Sequence, residues 1–474
     1  MKTFQLHPAD RFEGTLIIPV LETPANQPVI FNGISISPLV FSGKKDTHYA
    51  IGHSGGLYIF AGIGTEPDYR TLRTIFRRIP AKNRNWFVQK TAIALPDFLT
   101  DAQVEAILCG LWWSTYDIGH FKKSERHPFA ADDFTLGLYA SKDHSSLARR
   151  AFKIAAAQLG TLHLVDAPPN VATPGYLADW ALNAGEKYGF SVTVLDRKAC
   201  EAQRLDAFLA VGKGSVNEPK FIIMEYGKSN PDVAVPHIGL VGKGITFDTG
   251  GLNIKVAGMY QMKSDMAGAG AVLGAMQLIA DLQLPVKVTA IVPACESAVD
   301  ANSFLPSDVI GSYAGHSIEI IDTDAEGRLI LADGLSYLIR NYKPDTIIDL
   351  ATLTGSAMGT FGHECAALFT NNPDMSAKIQ QAGDAIGERC WPLPLWDAYK
   401  GDLESDIADV KNWSGKPMAG AITAAKFLEY FTEDHPAWAH LDIAGVAFAD
   451  DEFAKSKHAT AYGVQLVTAF IERM

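Results

Sequence analysis

The seven residues Asp322-Thr323-Asp324-Ala325-Glu326-Gly327-Arg328 place three carboxylates and a guanidinium between two apolar runs, Ile318 to Ile321 and Leu329 to Leu331. The pattern reads as a strand end turning into a helix, where a loop on a rigid frame can carry chemistry. A plainer reading competes with it. Thr323 and Glu326 fit a capping box, and acids are favoured in a helix's first turn by its free N–H groups. Taken alone, the stretch divides evenly between the two.

A second stretch shifts the balance. Val241-Gly242-Lys243-Gly244-Ile245-Thr246-Phe247-Asp248-Thr249-Gly250-Gly251-Leu252-Asn253-Ile254-Lys255 is dense in glycine and follows a strand-like run. It is not a phosphate loop, because Lys243 precedes most of the glycines, and the dinucleotide fingerprint fails as well. Glycines here suit close backbone approach to something compact. Asp265, in Met262-Lys263-Ser264-Asp265-Met266-Ala267-Gly268, stands at the opening of the next helical pattern, where the helix dipole alone would account for it. If Asp248, Asp265, Asp324 and Glu326 converge at the C-terminal ends of strands, where open α/β sheets bind ligands, four carboxylates share one crevice. Like charges at that range need raised pKa values or cations. A pair of divalent ions resolves this most simply, and oxygen-rich ligation admits Mn, Mg, Co or Zn.

Rival chemistries fit less well. No Gly-x-Ser-x-Gly elbow is present. His363-Glu364 begins like His-Glu-x-x-His, but Ala367 occupies the second histidine's place. His237, His316, His440 and His458 are scattered, as ordinary hydrogen-bonded histidines are. A glycosidase-like carboxylate pair would leave Lys243, Lys255 and Arg328 without roles.

The elements that must position these groups divide the chain in two, as a length of 474 residues suggests. An apolar content of 47% with 20% charged residues provides for an ordinary core. Before residue 145, strands are expected at Thr15 to Leu21, Leu57 to Ile63 and Asn85 to Leu95, with helices at Asp68 to Ile79 and Thr100 to Tyr116. Arg70, Arg73, Arg77 and Arg78 read as a solvated helix face. Ser145 to Leu159 reads as a bridging helix. Beyond the break at Asp166-Ala167-Pro168-Pro169-Asn170, strands are expected at Ser191 to Leu195, Ala207 to Val211, Lys220 to Tyr226, His237 to Val241, Val286 to Val292, Ser317 to Ile321 and Thr346 to Leu350. Helices are expected at Met266 to Leu282 and Leu329 to Asn341. The fold class is therefore α/β, with a smaller N-terminal α/β domain (1–144), a linking helix (145–165) and a larger C-terminal domain (166–474) whose mixed, largely buried sheet is flanked by helices.

A net charge of −12 argues against nucleic acid as a main partner. Five scattered cysteines fit a reducing compartment, no secretory h-region follows Met1, and no run approaches a membrane span, so a cytoplasmic protein is expected.

Residues 241–255, 262–268 and 323–329, with Asp349-Leu350-Ala351-Thr352-Leu353-Thr354-Gly355 and His440-Leu441-Asp442-Ile443-Ala444-Gly445, together resemble the leucyl aminopeptidases, also called cytosol aminopeptidases. The resemblance runs from about residue 160 to the C-terminus and is faint before it. It implies removal of a peptide's N-terminal residue, preferably Leu or another apolar one, at two divalent metals, Zn or Mn first. In that reading Asp248 and Glu326 bridge the metals, Lys243 and Asp265 complete a tighter site, and Asp324 completes a more exchangeable one. Lys255 and Arg328 are the non-ligand catalytic residues, Arg328 holding a bicarbonate as general base. Met262, Thr352, Leu353, Gly355 and Ala444, with Ala447, bind substrate. The resemblance also implies a homohexamer. The same scaffold admits a Cys-Gly dipeptidase or a DNA-binding regulator as alternatives. Three departures stand out: Asp322 where the family has asparagine, a shorter loop between Lys255 and Asp265, and Ala461 where glycine is common.

Overall fold

A computed structural model describes residues 2–8, 12–53, 55–87, 90–118, 121–123, 125–227, 235–450 and 452–474. The chain forms two compact units, Met1–Leu159 and Gly160–Met474.

In the first unit, strands β1 (Lys2–Leu6), β2 (Gly14–Leu21), β3 (His48–His53), β4 (Gly56–Gly64), β5 (Thr91–Ala94) and β6 (Thr135–Tyr139) form one sheet in the order β1-β6-β5-β2-β4-β3. Helices α1 (Tyr69–Lys82) and α2 (Asp101–Trp113) belong to this unit. Asp68 caps α1, and Thr100 with Gln103 forms a full capping box on α2, so polar side chains fix both helix starts. Two expectations fail here. Arg84–Phe87 is a short 3-10 turn, which confines the strand expected at Asn85 to Leu95 to β5. Arg77 is buried, and the guanidiniums of Arg73 and Arg77 lie 4.8 and 5.1 Å from the Trp113 ring centroid. Those two arginines pack on an aromatic face and do not form a solvated one.

Helix α3 (Ser145–Asp166) continues through the point where one unit gives way to the next. The second unit holds α4 (Pro174–Tyr188) and a nine-stranded mixed sheet. Its strands are β7 (Ser191–Leu195), β8 (Lys220–Tyr226), β9 (His237–Gly242), β10 (Gly244–Asp248) and β11 (Lys287–Ser297). A separate small sheet contributes β12 (Val309–Ile310), β13 (Ile318–Glu319) and β17 (Val410–Lys411). The main sheet is completed by β14 (Thr346–Ala351), β15 (Ala366–Thr370), β16 (Cys390–Pro392) and β18 (Trp438–Asp442), in the order β16-β15-β18-β14-β9-β11-β8-β7, with β10 beside β11. The middle strands β18, β14, β9 and β11 are parallel, and antiparallel pairs flank them. All residues of β9, β14 and β18 are buried, as expected of a sheet covered on both faces.

The covers are α5 (Ala267–Leu282) and α6 (Gly327–Tyr342). Gly242 abuts Gly268 and Ala269 of α5, whereas its neighbour Val241 abuts Gly334 of α6. Adjacent strand residues point to opposite faces, so the two helices lie on opposite sides of the sheet. Gly268 is obligatory for that fit, since a Cβ there would stand 2.2 Å from the Leu350 carbonyl oxygen.

The expected strand at Ala207 to Val211 is a helical turn, Asp206–Val211. Its buried residues, Ala207, Phe208 and Val211, have helical spacing, and the Asp333 carboxylate accepts the Phe208 N–H at 2.9 Å. An apolar run of five residues does not separate the two states by periodicity. Among the described residues, no helix is long and apolar enough to cross a membrane.

Candidate metal centre

Lys243 follows β9 directly, Asp248 ends β10, and Thr352 follows β14. The parallel strands thus deliver three of the singled-out residues to one end of the sheet. Asp265 comes from the end of a 3-10 turn, Met259–Ser264, two residues before α5. Asp324 and Glu326 arrive from the loop between β13 and α6. That loop follows the small sheet and not the central one, so only part of the constellation rests on central strand ends.

The acidic loop is shaped differently from the capping-box expectation. Helix α6 begins at Gly327, and Glu326 at its N-cap makes no side-chain capping bond. The Thr323 hydroxyl donates to the Gly250 carbonyl at 2.7 Å and accepts from the Asn253 N–H at 2.8 Å. Asn253 Oδ1 accepts the Thr323 N–H at 3.1 Å. Thr323 and Asn253 therefore stitch the acidic loop to the glycine-rich one. Asp322 accepts the Asp324 N–H at 2.9 Å, a turn that asparagine would make equally well.

Oxygens of Asp248, Asp324 and Glu326 all lie within 4.8 Å of one another. Lys243 Nζ is 2.8 Å from Asp265 Oδ2, 3.0 Å from Glu326 Oε1 and 2.8 Å from the Thr352 carbonyl. Lys255 Nζ is 2.8 Å from Asp248 Oδ2 and 2.5 Å from Asp324 Oδ1. The Lys243 stem runs so close to α6 that a Cβ on Gly327 would meet its Cε at 2.5 Å. Glycine after Glu326 thus makes room for the lysine.

Two ammonium groups face four carboxylates, and the imbalance shifts their proton affinities. Burial, then the charges of Asp248 and Glu326, push the Asp324 carboxyl up to about 7 despite Lys255. Burial likewise raises Asp265 and Glu326. For Lys243, burial acts against the charge, but Asp265, Glu326 and Asp248 outweigh it and hold the amine above its ordinary value. Lys255 behaves the same way, with Asp248 and Glu326 prevailing over burial. Surplus negative charge in a buried pocket is the condition that favours a bound cation. Among the described residues, Glu326 Oε2 is buried without a hydrogen-bond partner. The donor set fits divalent ions with a preference for oxygen ligands.

Arg328 is buried, and its Nη1 donates to the Asn412 carbonyl at 2.8 Å while its Nε has no hydrogen-bond partner among the described residues. Burial lowers the guanidinium to about 10, which leaves it charged at neutral pH. Asp442 joins two other predicted segments. Its carboxylate accepts the Leu353 N–H at 3.1 Å, the Ala444 N–H at 3.2 Å and the Thr354 hydroxyl at 2.6 Å. Thr352 donates its hydroxyl to Asp265 Oδ1 at 3.0 Å. Met262 lies on the turn that leads into Asp265, and Gly355 is the exposed first residue of the helix Gly355–Phe361. Ala447 is buried beside the Ala444 segment.

Sequence reasoning assigned no role to Thr352 as a partner of Asp265, nor to Asn253, Asp442 or Asn412. The first three sit inside motifs already quoted, so their position was marked although their contacts were not. Nothing local marks Asn412.

The cytosol aminopeptidase family, catalytic domain, matches residues 161–468. The chain is 42% identical over 462 residues to a probable cytosol aminopeptidase of Syntrophotalea carbinolica, covering 93% of this chain and 91% of the relative. It is 46% identical over 315 residues to one of Chloroherpeton thalassium, covering 66% of this chain and spanning 61% of that relative's length. A solved structure of a tomato leucine aminopeptidase mutant superposes with a TM-score of 0.88 at 29% identity, covering 100% of this chain and 97% of the other. With the family pattern extending over residues 161–468, including the glycine-rich and acidic loops, the chain belongs to the cytosol aminopeptidase family.

Proposed function

We propose that the protein is an aminopeptidase that hydrolyses the N-terminal residue from peptides, with two divalent cations per subunit. The observation that carries this reading is the meeting of Asp248, Asp324 and Glu326 oxygens within 4.8 Å, flanked by Lys243, Asp265 and Lys255. Asp248 and Glu326 would be shared between the cations, Lys243 and Asp265 would belong to the tighter position, and Asp324 to the more exchangeable one. Zn or Mn is the first choice, Mg or Co the second. When bound, the pair supplies a water acidic enough to attack at neutral pH and a Lewis acid for the scissile carbonyl.

The protein's own residues do the rest. Lys255, kept protonated by its carboxylate neighbours, presents N–H donors to the oxyanion that develops on the carbonyl. Lys243 must give up its proton to serve as a ligand, which only adjacent positive charge makes favourable. Arg328, with Nε unpartnered, can hold a small anion, and bicarbonate there would act as the general base. The Leu353 N–H is committed to Asp442 and the Thr352 carbonyl to Lys243, so the Leu353 carbonyl and the Gly355 backbone would align the peptide. Met262, Thr352, Leu353, Ala444 and Ala447 offer a largely apolar lining, which favours Leu or a similar residue.

A homohexamer in the cytoplasm completes the reading. The outward-facing Ile254, Val256 and Tyr260 beside the site loop support burial against another subunit. The direct test is hydrolysis of leucine p-nitroanilide by protein stripped with a chelator and resupplied with Mn or Zn. Turnover should vanish on stripping and return with metal, and an N-acetylated substrate should not react. Metal-independent turnover, or none at any pH, would refute the reading.

A further inference from the structure

Asn412 is the first residue after β17 and is fully buried. Its side chain serves four backbone groups of one distant segment. Oδ1 accepts the N–H groups of Ile321 at 2.8 Å and Asp322 at 3.3 Å. Nδ2 donates to the carbonyls of Asp322 at 2.6 Å and Ala325 at 3.5 Å. The backbone joins in: Asn412 N donates to the Glu319 carbonyl at 2.9 Å, and Asn412 O accepts Arg328 Nη1 at 2.8 Å. One residue therefore holds the segment 319–325 and the guanidinium at 328 together.

That segment belongs to neither helix nor strand over most of its length, so its buried N–H and C=O groups lack a regular ladder. Satisfying two donors and two acceptors from one side requires a primary amide. Aspartate accepts but cannot donate, and an apolar side chain does neither. The partners are backbone groups of fixed polarity, so they also fix which end of the amide is oxygen.

We infer that Asn412 is a positioning residue for the metal centre. It holds Asp324 and Glu326, and through its carbonyl Arg328, in one frame, and thereby sets the cation affinity of the acidic cluster. The inference rests on reading that cluster as a cation site. Groups that orient ligands from behind typically change metal affinity or activity by about 10–100-fold when lost.

The test uses the full chain, stripped of metal and titrated with Mn2+ by electron paramagnetic resonance, with kcat, KM and thermal stability measured in parallel. Asn412→Asp and Asn412→Ala should each weaken Mn2+ binding about 10–100-fold and lower kcat comparably, with KM changed less than about threefold. Asn412→Asp discriminates best. It keeps the side-chain shape and adds negative charge, so charge alone would tighten Mn2+, whereas lost donors would loosen it. Asp409→Ala is the control for general damage. Asp409 Oδ2 accepts the Ser317 N–H at 2.8 Å and the Ser317 hydroxyl at 2.7 Å, tying the same pair of segments at their exposed end. Its loss should leave Mn2+ affinity unchanged.

Wild-type Mn2+ affinity and kcat in Asn412→Asp, or equal weakening in Asp409→Ala, would overturn the inference. Should Asn412→Asp not fold, Asn412→Ala decides on the same readouts. Failure of the wild-type protein to bind Mn2+ would have a different signature, and would remove the cation-site reading and this inference together.

Discussion

The two halves of the acidic cluster use one motif, an ammonium group between two carboxylates, in different surroundings. Around Lys243 the side chains of Lys243, Asp265 and Glu326 are 3%, 8% and 2% exposed. Around Lys255 the values are 18% for the lysine and 31% for Asp324, with Asp248 at 3%. Burial sharpens every electrostatic interaction and also resists the exchange of water and ions. A cation in the Lys243 half should therefore leave slowly, and one in the Lys255 half should exchange readily. One acidic cluster would then hold two positions of unequal persistence, with access and not ligand type making the difference.

The severest way to break that comparison is to remove what the halves share. Glu326 contacts Lys243 and brings an oxygen within 4.8 Å of oxygens of Asp248 and Asp324. Glu326→Gln should abolish retention of both cations and reduce kcat well beyond the about 10–100-fold expected of a supporting residue. Metal content after gel filtration, read beside leucine p-nitroanilide turnover, checks this. A variant that keeps one ion with near-normal turnover would show that Glu326 is not common to both positions.

The asymmetry itself is tested by paired variants. Asp324→Asn should lose the easily exchanged ion alone, and excess Mn2+ should restore much of the turnover. Asp265→Asn should lose the slowly exchanged ion, and excess metal should restore far less. Affinity losses of about 10–100-fold or more are expected in the affected half. Identical stoichiometry and identical rescue in the two variants would mean that burial does not distinguish the halves.

Much of this centre was legible because its residues lie in short runs whose charges conflict with their apolar flanks. Asp248, Asp265, Asp324 and Glu326 were singled out from residue type and position, Lys243 joined them as a ligand only through the family resemblance, and the fold brings the five together. The strands β8, β9, β11 and β14 were legible for a related reason, since runs of buried β-branched residues between turn signals have few other uses. What escaped depends on contacts across long separations. Thr323 fits a capping box locally, yet its hydroxyl bridges to Gly250. Arg77 looks solvated along its helix, yet packs on Trp113 from another. Asn412 acts on residues about ninety positions earlier, with no local sign of it.

The frame under both halves should respond to acid without distinguishing them. His237 begins β9, the strand that ends before Lys243, and its Nε2 lies 2.9 Å from Thr289 Oγ1. Burial first, and the charge of Lys287 second, lower its pKa to about 4, with Asp345 opposing. Below its ordinary value of 6.5 the unfolded chain takes up a proton that the folded one refuses. The stability this group contributes is therefore complete above pH 6.5 and is lost as pH falls from there through about 4. The urea midpoint should drop between pH 7 and pH 5, and His237→Gln should make that drop smaller. An undiminished drop in the variant would assign the acid sensitivity elsewhere.

The smallest effect is expected at Ala461, far along the chain from both halves. Its φ is 55°, in the left-handed region, and the residue is 4% exposed. An L-residue in that conformation costs about 1–2 kcal/mol, which is why glycine suits the position. Replacing the alanine by glycine would relieve that strain, but it would also give up a buried methyl group, worth about 0.8 kcal/mol. The unfolded chain would gain freedom worth a further 0.5–1 kcal/mol, roughly. The terms nearly cancel, so Ala461→Gly should move the melting temperature by no more than about 2–4 °C in either direction. Metal content and turnover should not change, because no residue of either half is altered. A larger thermal shift would mean that the methyl group, or the strain, matters more than these magnitudes allow. Loss of one cation without the other would mean that this turn is coupled to one half of the site.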